Sequence, residues 1–319
     1  MPDPLLYLKA TATAAIVSAV FVLAMAKSRR SLGDAWLNSA YVLGIGFGLY
    51  AGYHVLSWRL AWPPMNGLDR LLTVVLPAVL CIELVAEFPS VPRWLAWLSR
   101  LSLAAATSRI LLHDSVYLTG TDGRWTSSQT ASVLLVCGAL LAGLWSLLSW
   151  LSRRSPGVSI PFALGMATQC AGVTVMMAGY IKGGAAAFPL TATLVAVSFA
   201  VWLVARRSEA PTKFDSAATV GIGVLGLFGL LFIGRFFGEL STERTLAMFL
   251  APLLCWVTEI PLLRNRKPWI VGTVRLTLVA IPLVVVLVAA KRDFDRDMAP
   301  LLVRSSSTSL STSATPVPD

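Results

Sequence analysis

The chain has 319 residues, of which 56% are hydrophobic and 13% charged, with a formal net charge of +10 and a mean hydropathy of +0.73. A soluble domain carries about a quarter of its residues as Asp, Glu, Lys and Arg, so this composition excludes an ordinary soluble fold and fits a membrane protein. The basic residues sit in short clusters between apolar runs, which argues against nucleic acid as a partner and for a lipid bilayer.

Apolar runs of about twenty residues are long enough to cross the hydrocarbon core as helices. Ten are present, near 5–25, 35–56, 70–88, 93–114, 130–151, 159–181, 185–205, 216–235, 245–263 and 268–290. They predict an all-α, polytopic integral membrane protein. Run 1 ends in Ala24-Met25-Ala26, which resembles a signal-peptide cleavage site. Its charge follows the apolar stretch instead of preceding it, so run 1 reads as a retained helix. Run 2 carries Gly44, Gly48 and Gly52, and run 8 carries Gly221, Gly223, Gly226 and Gly229. Spacing of this kind marks a close-packed membrane helix and not a phosphate loop. Run 4 contains Arg93, Arg100 and Arg109 and still reads as a span.

The loop charges set the orientation. Lys27, Arg29 and Arg30 follow run 1; Arg153 and Arg154 follow run 5. Arg206, Arg207 and Lys213 follow run 7, and Arg264, Arg266 and Lys267 follow run 9. Every cluster comes after an odd-numbered run, so one assignment puts them all in the cytoplasm and both termini outside the cell membrane. Without run 4 that parity fails. Beyond Arg304 the chain reads SSSTSLSTSATPVPD, and residues 292–319 are expected to form a disordered Ser-rich tail. Cys81, Cys137, Cys170 and Cys255 all lie inside apolar runs and read as small packing residues.

The stretch from Asp69 to Leu103 has a relative near the C-terminus. Asp69-Arg70 answers Glu243-Arg244, Leu80-Cys81 answers Leu254-Cys255, Glu87 answers Glu259, Trp94 answers Trp269, and Arg100 answers Arg275. Recurrence of Cys, Trp, Arg and acidic residues in one order points to an internal duplication. Runs 1–4 recur as runs 7–10, an offset that keeps orientation, so the expected repeat is parallel about the membrane normal. The divisions are 1–125 for the first repeat, 126–184 for the central runs 5 and 6, and 185–291 for the second repeat.

Two groups of polar residues stand out. On the inner side, Arg100 and Arg275 lie about seven residues into their runs, roughly 10 Å below the surface. A charge there costs on the order of a few kcal/mol unless it snorkels or pairs. Glu87 and Glu259 are the expected partners, and Glu83, one turn from Glu87, makes a three-member network with Arg100. The plain reading is a pair of fold-fixing ion pairs; the sharper one is a cytoplasmic gate. On the outer side lie the two histidines, His54 and His113, with Tyr50, Arg109, Asp114, Tyr117 and Arg124 around them. Two histidines at matched depth suit a haem iron or, with Asp114, a metal. The plain reading is a hydrogen-bonded interfacial pair, since His113 and Asp114 converge only if the helix unwinds between them. No metal-protease or nucleotide-binding spacing is present, so no catalytic residue is named and no metal site is assigned. The leading function is small-solute transport between the repeats. The alternatives are a membrane enzyme or redox protein using His54 and His113, or a structural subunit of a larger membrane complex.

Overall fold

In hydrocarbon no water is at hand to bond an exposed peptide group, so an apolar chain closes its backbone hydrogen bonds within helices. The computed structural model is accordingly 87% helical, with no strand among the described residues. Those are residues 4–27, 34–58, 62–119, 125–207, 216–264 and 266–311. The helices are α1 (Pro4–Lys27), α2 (Asp34–Val55), α3 (Gly67–Arg70), α4 (Leu76–Ala86), α5 (Arg93–Leu112), α6 (Val116–Thr119) and α7 (Ser127–Arg154). They continue as α8 (Ser159–Met177), α9 (Ile181–Ala185), α10 (Ala187–Arg207), α11 (Ala217–Phe237), α12 (Thr242–Leu250), α13 (Pro261–Arg264) and α14 (Pro268–Ser311). The last passes residue 290, where run 10 was expected to close.

Six segments are long and apolar enough to cross a membrane: Pro4–Lys27, Ser127–Arg154, Ser159–Met177, Ile181–Arg206, Ala217–Phe237 and Pro268–Arg296. The other four apolar runs are also helical but fall short for visible reasons. Run 2 is α2, diluted by Tyr41, Tyr50, Tyr53 and His54, and run 4 is α5 with its three arginines. Runs 3 and 9 are not continuous α-helices. Between α3 and α4 the chain widens into a π-helical turn, Leu71–Val75, just before Pro77. After α12 it tightens into a 3-10 helix, Ala251–Glu259, that opens on Pro252. A proline has no N–H to donate and its ring crowds the carbonyl four residues back, so neither run can keep regular α winding there. Nothing in the sequence reading had marked a broken helix.

α11 is the axle of the bundle. Every residue from Ala217 to Gly234 is buried, whereas only 22% of the apolar window of α1 is. Its glycines seat a different neighbour at each level. A methyl group at Gly223 would press on Leu164 of α8, at Gly226 on Leu190 of α10, at Gly229 on Leu71 of the π turn, and at Gly234 on Val175 of α8. Close approach of this kind replaces the hydrophobic effect, which has little to offer between helices already in lipid. Hydroxyls inside the bundle mostly bond the carbonyl a turn back, as Thr107 to Leu103 (2.6 Å), Thr168 to Leu164 (2.8 Å) and Ser198 to Leu194 (2.6 Å). These are satisfied locally, whereas the Ser18, Ser108, Ser149 and Ser216 hydroxyls are buried with no hydrogen-bond partner among the described residues.

Candidate functional site

A buried pair of charges comes together between α4 and α5. Glu83 is 0% exposed and Arg100 5%. Arg100 Nε donates to Glu83 Oε1 at 3.0 Å and Nη2 to Oε2 at 2.6 Å, a bidentate fork. Two parallel charge-assisted bonds fix both side chains in one plane. α11 reaches this carboxylate through Gly221: a methyl group there would overlap Glu83 Oε1 and lie 2.9 Å from Trp145 Nε1 of α7. The Trp145 indole N–H is buried and has no hydrogen-bond partner among the described residues.

Arg275 of α14 is built differently. It is 2% exposed, and Nε donates to Thr258 Oγ1 at 2.7 Å, Nη1 to Ser159 Oγ at 3.1 Å and Nη2 to Glu259 Oε1 at 3.1 Å. Glu259 also meets Arg154 Nε at 3.3 Å. Thus Arg100 is held by Glu83, one of its two expected partners, and Arg275 meets Glu259, while Glu87 does not join the Arg100 fork. Glu87 instead accepts from Asn38 Nδ2 of α2 at 2.9 Å. The sequence reading overlooked Thr258, Ser159 and Asn38; the 17-residue spacing of Glu83 to Arg100, repeated between Thr258 and Arg275, was the available signal.

Beside Arg100 lies a cavity of ≈260 Å³ lined by Ala86, Glu87, Val91, Arg93, Ala96, Trp97, Arg100, Arg153 and Ala217. The Arg100 and Arg153 guanidinium carbons stand 5.3 and 5.8 Å from the Trp97 ring centroid, so two cations share one indole. The Arg93 and Arg153 side chains have no carboxylate partner among the described residues.

The group around the two histidines is less assembled. α5 ends at Leu112, and Asp114 takes a left-handed backbone (φ 54°). That break lets adjacent side chains converge, and His113 Nδ1 lies 2.7 Å from Asp114 Oδ2. Arg70 clamps the same turn, bonding the His113 carbonyl and meeting Asp114 Oδ2 at 3.2 Å. His54 is exposed and packs against Tyr50 at 6.2 Å. The two histidine rings share no hydrogen bond, and the His113 side chain is 65% exposed. Arg109 is exposed, Tyr117 packs with Trp125 and Phe236 and donates to the Phe236 carbonyl at 3.3 Å, and Arg124 lies outside the described residues. No three His, Cys, Asp or Glu side chains among the described residues come close enough together to hold a metal ion. A second clamp at this end, Arg244 with Asp293, was not foreseen because Asp293 lies beyond the expected end of run 10. The chain matches no model of a known protein family and no curated protein.

Proposed function

We propose that this chain is a multi-pass membrane protein that moves a small solute along a path between two related halves, its inner mouth at the Trp97 cavity. One observation carries the reading. Arg100, held by the buried Glu83, lines a ≈260 Å³ cavity, beside a helix whose winding changes just before Pro77. A buried ion pair recovers its desolvation cost only in good geometry and is weak evidence for stability alone. Inside a bilayer such residues more often mark a pathway.

Two further features support the halves. Asn66 and Ser241 cap their helices alike, bonding the amides of Asp69 (2.8 Å) and Arg244 (3.4 Å). Pro77 and Pro252, Glu83 and Thr258, Trp94 and Trp269, and Arg100 and Arg275 share with that pair of caps a single offset of 175 residues. The Asp69/Glu243 and Cys81/Cys255 matches lie at an offset of 174 and Glu87/Glu259 at 172, so they need small gaps relative to this register. Ten crossings with both termini outside would place the end of α4, the start of α5, the end of α7 and the start of α11 on one side, and all four line the cavity. A redox centre shared by His54 and His113 has less support, since each ring is engaged with another neighbour.

The test is flux into liposomes containing the purified chain, with a panel of phosphate, glutamate, succinate, alanine, glucose, sodium and potassium. One class should cross faster than in protein-free liposomes, and Glu83→Gln should slow it at least about ten-fold, the equivalent of ~1.4 kcal/mol. Uptake of every panel member at the protein-free rate would reject transport of these classes.

A further inference from the structure

The Trp97 cavity has a charge balance that suggests its occupant. Its lining carries Arg93, Arg100 and Arg153 against one carboxylate, Glu87, which is engaged by Asn38. Arg100 is spoken for by Glu83, but Arg93 and Arg153 are exposed and make no ion pair among the described residues. Two unneutralised guanidinium groups facing one concavity repel each other and draw in an anion. Their planar forks match the oxygens of a phosphate or carboxylate better than a lysine would. The first turn of α5, which supplies Arg93, Ala96 and Trp97, adds the positive end of a 20-residue helix at the same mouth. Trp97 braces both Arg100 and Arg153, which holds their guanidinium planes in place before any ligand arrives. The volume is below the usual range for drug-sized ligands, about 300–1,000 Å³, and so suits a compact group.

We infer that this cavity is a phosphate-group binding site, with Arg93 and Arg153 as the recognising residues and Arg100 as its fixed back wall. The inference goes beyond transport. The phosphate belongs to a soluble molecule or to the headgroup of an anionic lipid on the basic side of the membrane, where arginine clusters attract such lipids.

The test uses the full chain purified in nonionic detergent, with Arg93→Gln/Arg153→Gln beside it. Both side chains are exposed, so the double variant should fold. Arg206→Gln/Arg266→Gln, two exposed arginines outside the cavity, controls for lost net charge. In one arm inorganic phosphate is titrated and the melting temperature followed; in the other, phosphatidylglycerol binding is counted by native mass spectrometry. A saturable effect of phosphate in wild type and control, weakened about ten-fold or more in the double variant, supports the site with a soluble ligand. Phosphatidylglycerol retained by wild type and control but not by the double variant supports it with a headgroup. Equal binding by wild type and the Arg93/Arg153 variant in both arms, no binding in either, or equal loss in the control, overturns it.

Discussion

Breaking the Glu83–Arg100 fork should be far more damaging than removing it whole. Glu83→Met leaves the buried Arg100 without its acceptor for Nε and Nη2, and Arg100→Met takes the guanidinium fork from a fully buried carboxylate. Removing one partner of a buried pair costs about 3–5 kcal/mol, whereas replacing both partners by apolar side chains of similar size is often close to neutral. At roughly 2–4 °C per kcal/mol, each single variant should melt about 6–20 °C below wild type. The double variant Glu83→Met/Arg100→Met should melt above either single one. In a background with Cys81, Cys137 and Cys170 replaced by Ala, Cys255, which is fully buried, provides the assay, since a thiol-reactive dye reaches it only as the fold opens. Scan rate is held constant because such unfolding is commonly irreversible. Single variants within about 2 °C of wild type, or a double variant losing the sum of the two singles, would refute the reasoning. A double variant that is stable yet inactive in the flux assay would separate the pair's part in transport from its part in folding.

Arg275→Met should cost less than Arg100→Met, about 1–3 kcal/mol, because Glu259 keeps Arg154 and is itself 12% exposed; a larger loss than at Arg100 would contradict this. Gly48→Ala should destabilise by about 1–3 kcal/mol, since its methyl would meet Thr193 at 2.7 Å and the Ala14 carbonyl at 2.8 Å. Gly143→Ala on α7 meets nothing within 4 Å and should stabilise by up to about 1 kcal/mol, a contrast that parallel melts read directly. His113→Ala, at a side chain 65% exposed, should leave melting unchanged within about 0.5 kcal/mol. Arg70→Met, which frees the same turn from a buried donor, should lower stability by about 1.5–3 kcal/mol. In a cysteine-free background, Ser155→Cys and Arg266→Cys should be labelled from the cytoplasm, and Ser57→Cys and Ser127→Cys from outside. Labelling of Ser155→Cys and Ser127→Cys from one side would mean that α7 does not cross.

What the sequence determined by itself is what depends on composition and spacing along one chain. Apolar length and sparse charge point to an all-helical chain with several helices long and apolar enough to cross a membrane, because unbonded peptide groups are not tolerated in lipid. The buried arginines and nearby acids demand each other for the same reason, so the meeting of Arg100 and of Arg275 with a carboxylate was legible. Which atoms meet was decided only by the tertiary structure. Glu83 and Glu87 lie one turn apart on the same face, and the choice between them follows from α5 packing against α4 at one depth while α2 brings Asn38 to Glu87. Run 9 offered one acid, yet Thr258 and Ser159 complete the Arg275 shell, from a turn and a helix whose phase no spacing rule supplies. The histidines were expected to face each other because they lie at matched depth, but depth is one coordinate and rotation about the helix axis another. The end of α5 at Leu112 turned His113 toward Asp114, and α2 turned His54 toward Tyr50. Glycines in run 8 announced close packing without naming its partners; each partner is set by which helix crosses α11 at that height, a property of the whole bundle.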